Sequence, residues 1–114
     1  MKKNKVIGFI AVILIVGSAV VCIAILSAYE ENEKFFHFPI PKSAQIASED
    51  DIANNYSWPP ASEEHGIPKH YKMVIKFKGW KEEDREGAST IYIKDGHRID
   101  LISTTEFLTV RKES

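Results

Sequence analysis

The side chains that could perform chemistry are few and widely spaced. The four histidines are His37, His65, His70 and His97. His65 and His70 lie five residues apart across Pro68, which does not match the short, fixed spacing typical of zinc ligands. Glu63 or Glu64 could complete such a site in the folded chain. A small metal-assisted envelope hydrolase built on these residues is therefore one hypothesis for function.

No other pattern in the sequence indicates catalysis. The single cysteine, Cys22, lies within an apolar stretch, where a thiolate is disfavoured and reactivity is low. The acidic run Glu49–Asp51 lacks the alternating spacing of a calcium loop, and there is no glycine-rich phosphate loop. The leading interpretation is therefore a protein without catalytic residues, cofactor or bound metal.

Two tryptophans, Trp58 and Trp80, are the largest apolar side chains of the polar part of the chain. Each could bury on the order of 200 Å², and a small domain without disulfides needs such burial. Their first expected role is therefore in the core. The alternative is that the two rings together form an aromatic binding surface.

The N-terminal part predicts a membrane-spanning helix. Lys2, Lys3 and Lys5 precede Val6–Ala28, a stretch of 23 residues without charge that Tyr29 closes. A helix of that length reaches about 34 Å, enough for a hydrocarbon core of roughly 30 Å. We expect a cytoplasmic N-terminus over residues 1–5 and a transmembrane helix over 6–29. Tyr29 should lie in the headgroup region.

Two other interpretations of this segment are weaker. A cleaved secretory signal has a shorter apolar region and a small-x-small cleavage site, whereas this stretch ends in Leu26-Ser27-Ala28. A lipoprotein signal would place a small residue before Cys22 and turn polar after it, but Val21 precedes it and the apolar run continues. An uncleaved signal-anchor fits best.

The distribution of charge sets the expected orientation and excludes some partners. All 16 acidic residues follow Tyr29, together with 12 of the 15 Lys and Arg, so residues 30–114 carry a net charge of −4. Lysines near a membrane end are retained in the cytoplasm, which places the C-terminal part outside a cell membrane. The acidic balance excludes a basic nucleic-acid binder. The lipid bilayer and a protein or cell-envelope component are the expected partners.

Residues 30–44 are expected to form a stiff juxtamembrane stalk, since Pro39 and Pro41 favour an extended backbone. The extracytoplasmic domain should then cover residues 45–114. Within it, Ser48–Asp51 could begin a short helix, because the serine can cap it and acidic residues suit a first turn. The charged segment Lys81–Glu86 is expected to be a solvated loop.

Alternation of apolar and polar residues predicts antiparallel strands in the second half of the domain. Tyr71–Lys78 alternates with period two, which is typical of a half-buried strand. A hairpin is expected around Asp95-Gly96. A three-residue loop that pairs Ile93 with His97 would collect the isoleucines on one face. Glu106–Lys112 should form the last strand.

The predicted architecture is one N-terminal transmembrane α-helix and a small extracytoplasmic α+β domain. In that domain, three or four antiparallel strands form a meander covered by a short helix. The function that this organisation favours is membrane-anchored binding without catalysis. One alternative is an accessory subunit that contacts a membrane complex through its span.

Overall fold

The computed structural model describes residues 2–113 of the chain, and the side chains of residues 10–113. Helix α1 covers Lys2–Ser27. Its stretch Ile10–Ser27 is long and apolar enough to cross a membrane, and none of its side chains is fully buried by the rest of the chain. By length and composition, α1 is a candidate membrane span or signal sequence. The expected N-terminal apolar helix is confirmed.

The segment after α1 is a hairpin rather than the expected stalk. Strands β1 (Tyr29–Asn32) and β2 (Phe38–Pro41) pair antiparallel, with Tyr29 opposite Pro41, and form their own two-stranded sheet. The stalk prediction is wrong because this segment carries large apolar side chains that the domain buries. Phe35 and Phe38 are both fully buried. The prolines extend the backbone as expected, but within a strand.

Six further strands form one antiparallel sheet in the order β3-β4-β8-β7-β6-β5. In chain order they are β3 (Gln45–Glu49), β4 (Ala53–Ser57), β5 (Lys81–Glu86), β6 (Ser89–Lys94), β7 (His97–Thr104) and β8 (Phe107–Glu113). The expectation of an antiparallel sheet with a short helix holds, but the sheet has six strands rather than three or four. The expected last strand agrees with β8 to within a residue at each end.

Tyr71–Lys78, expected as a strand, lies in a helix, α2, which covers Lys69–Phe77. Five positions of this segment are apolar, and their spacing fits both a strand and a helix. Packing against the rest of the domain therefore determines which of the two forms. The buried residues are Tyr71, Val74 and Ile75, at the spacing of one helix face. The Tyr71 hydroxyl donates to the carbonyl oxygen of Pro39 in β2 at 2.8 Å, which holds this face against the hairpin.

Two more expectations are corrected in the sheet. The expected helix at Ser48–Asp51 is the end of β3 and a tight turn, in which the Asp50 carboxylate accepts from the backbone N–H groups of Ile52 and Ala53, each at 2.9 Å. These two hydrogen bonds lower the pKa of Asp50. Asp50 thus caps a turn instead of a helix, an ordinary role for Asp. The expected loop Lys81–Glu86 is β5, a highly charged edge strand that is exposed along its whole length.

The register of the β6–β7 hairpin also differs from the prediction. The loop has two residues, so that Lys94 pairs with His97 and Ile93 with Arg98. Asp95 and Gly96 have φ of 51° and 79°, as a type I′ turn requires. The prediction failed because it assigned Ile91 and Ile93 of β6 to the core, whereas both are only half-buried. Tyr92 takes that place instead, and it is 4% exposed.

The core lies between one face of the large sheet and a layer made of the hairpin and α2. From the sheet it takes Tyr56, Tyr92, Ile99, Leu101, Leu108 and Val110. The covering layer supplies Phe35, Phe38, Ile40, Tyr71, Val74 and Ile75. Ile25 and Leu26 of α1 pack against this core, so the end of α1 and the domain are in direct contact.

Candidate functional site

The structure places the expected membrane-anchor residues in different settings. The backbone of Lys2, Lys3 and Lys5 lies in the first turns of α1, and their side chains fall outside the described ones. Tyr29 is 7% exposed, and its ring stacks on that of Tyr71 at a centroid distance of 4.9 Å. Tyr29 therefore packs in the domain core, where it joins β1 to α2.

The two tryptophans are core residues and do not form one joint surface. Trp58 is 3% exposed, and its indole N–H donates to the Ser43 hydroxyl at 3.0 Å. Trp80 is 2% exposed and meets Phe38 edge to face at 5.1 Å. Within residues 10–113 the Trp80 indole N–H has no hydrogen-bond partner. The small exposed parts of the two rings line different clefts.

The histidines that the sequence singled out for metal binding do not come together. His65 is on an exposed loop, 3.9 Å from the carboxylate of Glu64, and His70 is on α2, 6.1 Å from the ring of Tyr29. Among the residues that the structure describes, no three His, Cys, Asp or Glu side chains are placed to hold a metal ion. The geometry therefore gives the hydrolase hypothesis no support.

The other two histidines, His37 and His97, line one cleft between the two hairpins. We call it the hairpin cleft, and its volume is about 510 Å³. The tip of the β1–β2 hairpin forms one wall, and the β6–β7 turn forms the other. It is lined by Glu31, Glu33, Phe36, His37, Trp80, Lys94, Asp95 and His97.

The wall from the β1–β2 hairpin has an unusual backbone. Phe36 and His37 both adopt the left-handed conformation, with φ of 57° and 65°. Each such residue with a Cβ costs about 1–2 kcal/mol. The conformation is held by backbone hydrogen bonds from Phe36 N–H to Glu33 at 3.2 Å and from His37 N–H to Asn32 at 2.9 Å.

This backbone directs two exposed side chains to the cleft. The Phe36 ring, although 37% exposed, stacks on the His97 imidazole with centroids 3.8 Å apart and planes 11° apart. The stack joins the two walls across the opening. The His37 imidazole lies beside it, 3.7 Å from the Glu31 carboxylate, with both groups largely in solvent.

The cleft has an excess of negative charge. Glu31 is also 3.3 Å from the ammonium of Lys78, and the ammonium of Lys94 donates to the Lys78 carbonyl oxygen at 2.7 Å. Glu31 thus offsets the charge of Lys78, while Lys94 keeps its charge and is held in place by the carbonyl, so three carboxylates face two ammonium groups. Glu33 and Asp95, in contrast, have no ion-pair partner among the side chains of residues 10–113. The cleft can therefore accept a cation.

The largest pKa shifts lie in the core rather than at the cleft. Burial raises the pKa of Tyr92 to about 12 and raises the pKa of Tyr71 still further from its usual range, because the phenolate would lose its hydration. These groups stay neutral and serve packing. The arrangement at the cleft suits recognition of charge.

The uncovered face of the large sheet is less suited to binding because several of its polar groups pair with one another. Arg98 is 2.9 Å from the Glu83 carboxylate, and the Thr109 hydroxyl donates to the Asn55 amide oxygen at 2.6 Å. The Ser89 hydroxyl likewise contacts Asp100. A ligand on this face would have to break these pairs, whereas Glu33 and Asp95 have no such pair within the described side chains.

These observations define the class of protein: a small antiparallel β-sheet domain with one short helix, attached to an apolar N-terminal helix. Comparison of the chain with protein-family models, with curated proteins and with solved structures gives no match. The functional interpretation therefore depends on the geometry of the chain itself.

Proposed function

We propose that this protein is a single-pass membrane protein whose outer domain binds a positively charged segment of another envelope protein through the hairpin cleft. The carrying observation is that two consecutive left-handed residues, Phe36 and His37, hold their side chains over a cleft with unpaired carboxylates. Backbone strain of this kind persists only where the surrounding structure enforces it, and it is concentrated at functional sites.

The membrane anchor is supported by α1. Its 18-residue apolar window has no fully buried side chain, so lipid is the natural environment for it. In lipid a single segment must satisfy its backbone groups internally, as α1 does. The lysines in the first turns of α1, ahead of its apolar stretch, favour a cytoplasmic N-terminus, with the domain on the outer side of the cell membrane.

The chemistry of the cleft favours a cationic ligand. Glu33 and Asp95 supply negative charge from opposite walls, and the exposed edge of the Phe36–His97 stack offers an aromatic surface beside it. A guanidinium group can bond to carboxylates and stack on aromatic rings at the same time, so an arginine-containing segment fits best.

The test removes the two free carboxylates without changing side-chain shape. The full chain carrying Glu33→Gln and Asp95→Asn is expressed in its native membranes, crosslinked and recovered through a C-terminal tag. Asparagine tolerates the left-handed turn position of Asp95. The matched control is Glu63→Gln with Glu64→Gln, which removes the same charge from an exposed loop.

The proposal predicts that the unaltered chain recovers a defined protein partner. The cleft variant should recover it with an affinity lower by about tenfold, since exposed charge contacts contribute up to about 1 kcal/mol each. The control should match the unaltered chain, and added salt should weaken recovery. Equal loss in both variants, or in neither, would show that the cleft is not the binding site.

A second variant separates the cleft from the span. Replacing residues 6–21 with an unrelated apolar helix keeps the anchor and the contacts of Ile25 and Leu26 with the domain, but removes any specific contact that the rest of the span makes with another helix. The proposal predicts that the same partner is recovered. Loss of the partner in this variant would instead support the accessory-subunit interpretation, in which the span itself makes the contact.

A further inference from the structure

One face of α2 is apolar yet exposed. Met73 and Phe77, one helical turn apart, are 63% and 71% exposed, on the side away from the buried Tyr71 and Ile75. Exposed apolar residues at this spacing form a continuous stripe along a helix. A stripe of this size in a small polar domain marks a surface that another phase or molecule covers.

The position of the stripe indicates what covers it. Met73 and Phe77 line a small apolar pocket of about 110 Å³ whose opposite wall is α1, through Cys22, Ile25 and Leu26. Cys22 lies five residues before the end of α1, or about 7.5 Å along the helix axis. Residues that face this part of α1 lie at the level of its last two turns.

The lysines of α2 are a second feature typical of a helix that lies on a membrane surface. Lys69, Lys72 and Lys76 accompany the stripe, and the helix contains no acidic residue, although the rest of the domain is acidic. Helices that lie in the plane of a membrane combine an apolar face, buried by about 5–10 Å, with lysines or arginines along the polar face. Lysine stems can cover apolar surface while the ammonium reaches the headgroups.

We propose that α2 is an interfacial helix, with Met73 and Phe77 inserted in the outer leaflet of the bilayer that α1 crosses and its lysines on anionic headgroups. This inference rests on the membrane anchor proposed above. Insertion fixes the domain against the membrane at two points, the end of α1 and the face of α2, and thereby sets the direction in which the hairpin cleft opens.

The test measures depth with a nitroxide label on the full chain, reconstituted in phosphatidylcholine vesicles with or without phosphatidylglycerol. Cys22→Ser removes the native thiol, and Phe77→Cys supplies the labelling position. The matched control is Phe107→Cys, because Phe107 is also an exposed phenylalanine but lies at the start of β8. A third label at Ile15→Cys reports whether α1 is in lipid.

We expect the label at position 77 to collide more often with oxygen than with a polar relaxation reagent, and the label at 107 to show the reverse. Phosphatidylglycerol should deepen the label at 77. Changing Lys69, Lys72 and Lys76 to Gln should remove this dependence on phosphatidylglycerol, since the attraction to anionic lipid is electrostatic.

The three labels distinguish failure of the interfacial-helix proposal from failure of the membrane anchor. If position 15 is in lipid while position 77 is as aqueous as position 107, α2 is not interfacial, although the anchor stands. If position 15 is also aqueous, the anchor itself is refuted. Dipolar broadening between labels at position 77 that persists in detergent would show that a second copy covers the stripe, which also overturns the proposal.

Discussion

Replacing His37 with glycine should make the domain more stable. His37 holds φ of 65°, which glycine adopts without steric cost. Among the side chains of residues 10–113, the only carboxylate within ion-pair distance of the imidazole is that of Glu31, at 3.7 Å, and both side chains are about half exposed. The substitution therefore removes strain from the folded state and little else.

The expected size of the effect follows from three contributions. Relief of the left-handed conformation gains about 1–2 kcal/mol. The greater freedom of glycine in the unfolded chain takes back about 0.4–1 kcal/mol, and loss of an exposed ion pair costs a few tenths at most. The net expectation for His37→Gly is a gain of about 0.5–1 kcal/mol in the free energy of unfolding.

The matched control is His37→Ala, which also removes the imidazole but keeps a Cβ in the left-handed conformation. The difference between the two variants isolates the backbone strain and should be about 1 kcal/mol in favour of glycine. Unfolding of the full chain by urea in detergent micelles can be followed by the emission of the two buried tryptophans. Equal midpoints for the two variants would refute the argument that this position is strained.

The same variant links strain to function. If His37 is held in place for binding, His37→Gly should recover less of the crosslinked partner while being more stable, a trade-off found where sites store strain. If the glycine variant is more stable and binds as well as the unaltered chain, the strain at His37 does not serve binding, and the proposed function loses its main support.

The remaining predictions concern the core. Trp58→Ala and Trp80→Ala should each cost about 3–5 kcal/mol, as for other large core truncations, and should leave the domain largely unfolded by circular dichroism; a folded domain with normal stability would contradict their burial. The contribution of Tyr92 to stability should be fully present below about pH 10 and be lost as the pH rises towards 12, because the folded-state pKa of Tyr92 is raised from 10.0 to about 12 and the unfolded chain releases its proton first. Urea unfolding at increasing pH checks this, and Tyr92→Phe should make the decline shallower.

The sequence predicts the elements whose signal is local and misses those that packing decides. The apolar helix and the last strand follow from their own residues. In Lys69–Phe77, apolar side chains at positions 71, 73, 74, 75 and 77 fit a strand and a helix equally well. Burial of Tyr71, Val74 and Ile75 on one face favours the helix, and the Tyr71–Pro39 hydrogen bond joins that face to the hairpin.

The register of the β6–β7 hairpin shows a second kind of ambiguity. Ile91, Tyr92 and Ile93 are consecutive and all apolar, so either face of the strand could enter the core. The left-handed preference of Asp95-Gly96 favoured the two-residue turn, and in this case turn geometry was the better guide than the count of isoleucines.

The hairpin cleft had no signal in the sequence. Its walls lie about 60 residues apart, at His37 and His97, and the segment that forms the first wall was expected to be a stalk. His65 and His70 drew attention because they are close in sequence. In the fold, His97 instead stacks on Phe36 of the β1–β2 hairpin. The only sign of that hairpin in the sequence was its phenylalanines, two of which are buried.

The net charge of −4 after Tyr29 conceals a separation of charge that both proposals use. The lysines of α2 face away from the core, beside the end of α1, while Glu33 and Asp95 line a cleft whose nearest lysines are engaged by Glu31 and a backbone carbonyl. An even mixture of the same residues would attract neither an anionic membrane nor a cationic segment. The fold thus turns a nearly neutral composition into one basic surface and one acidic surface, each suited to a different partner.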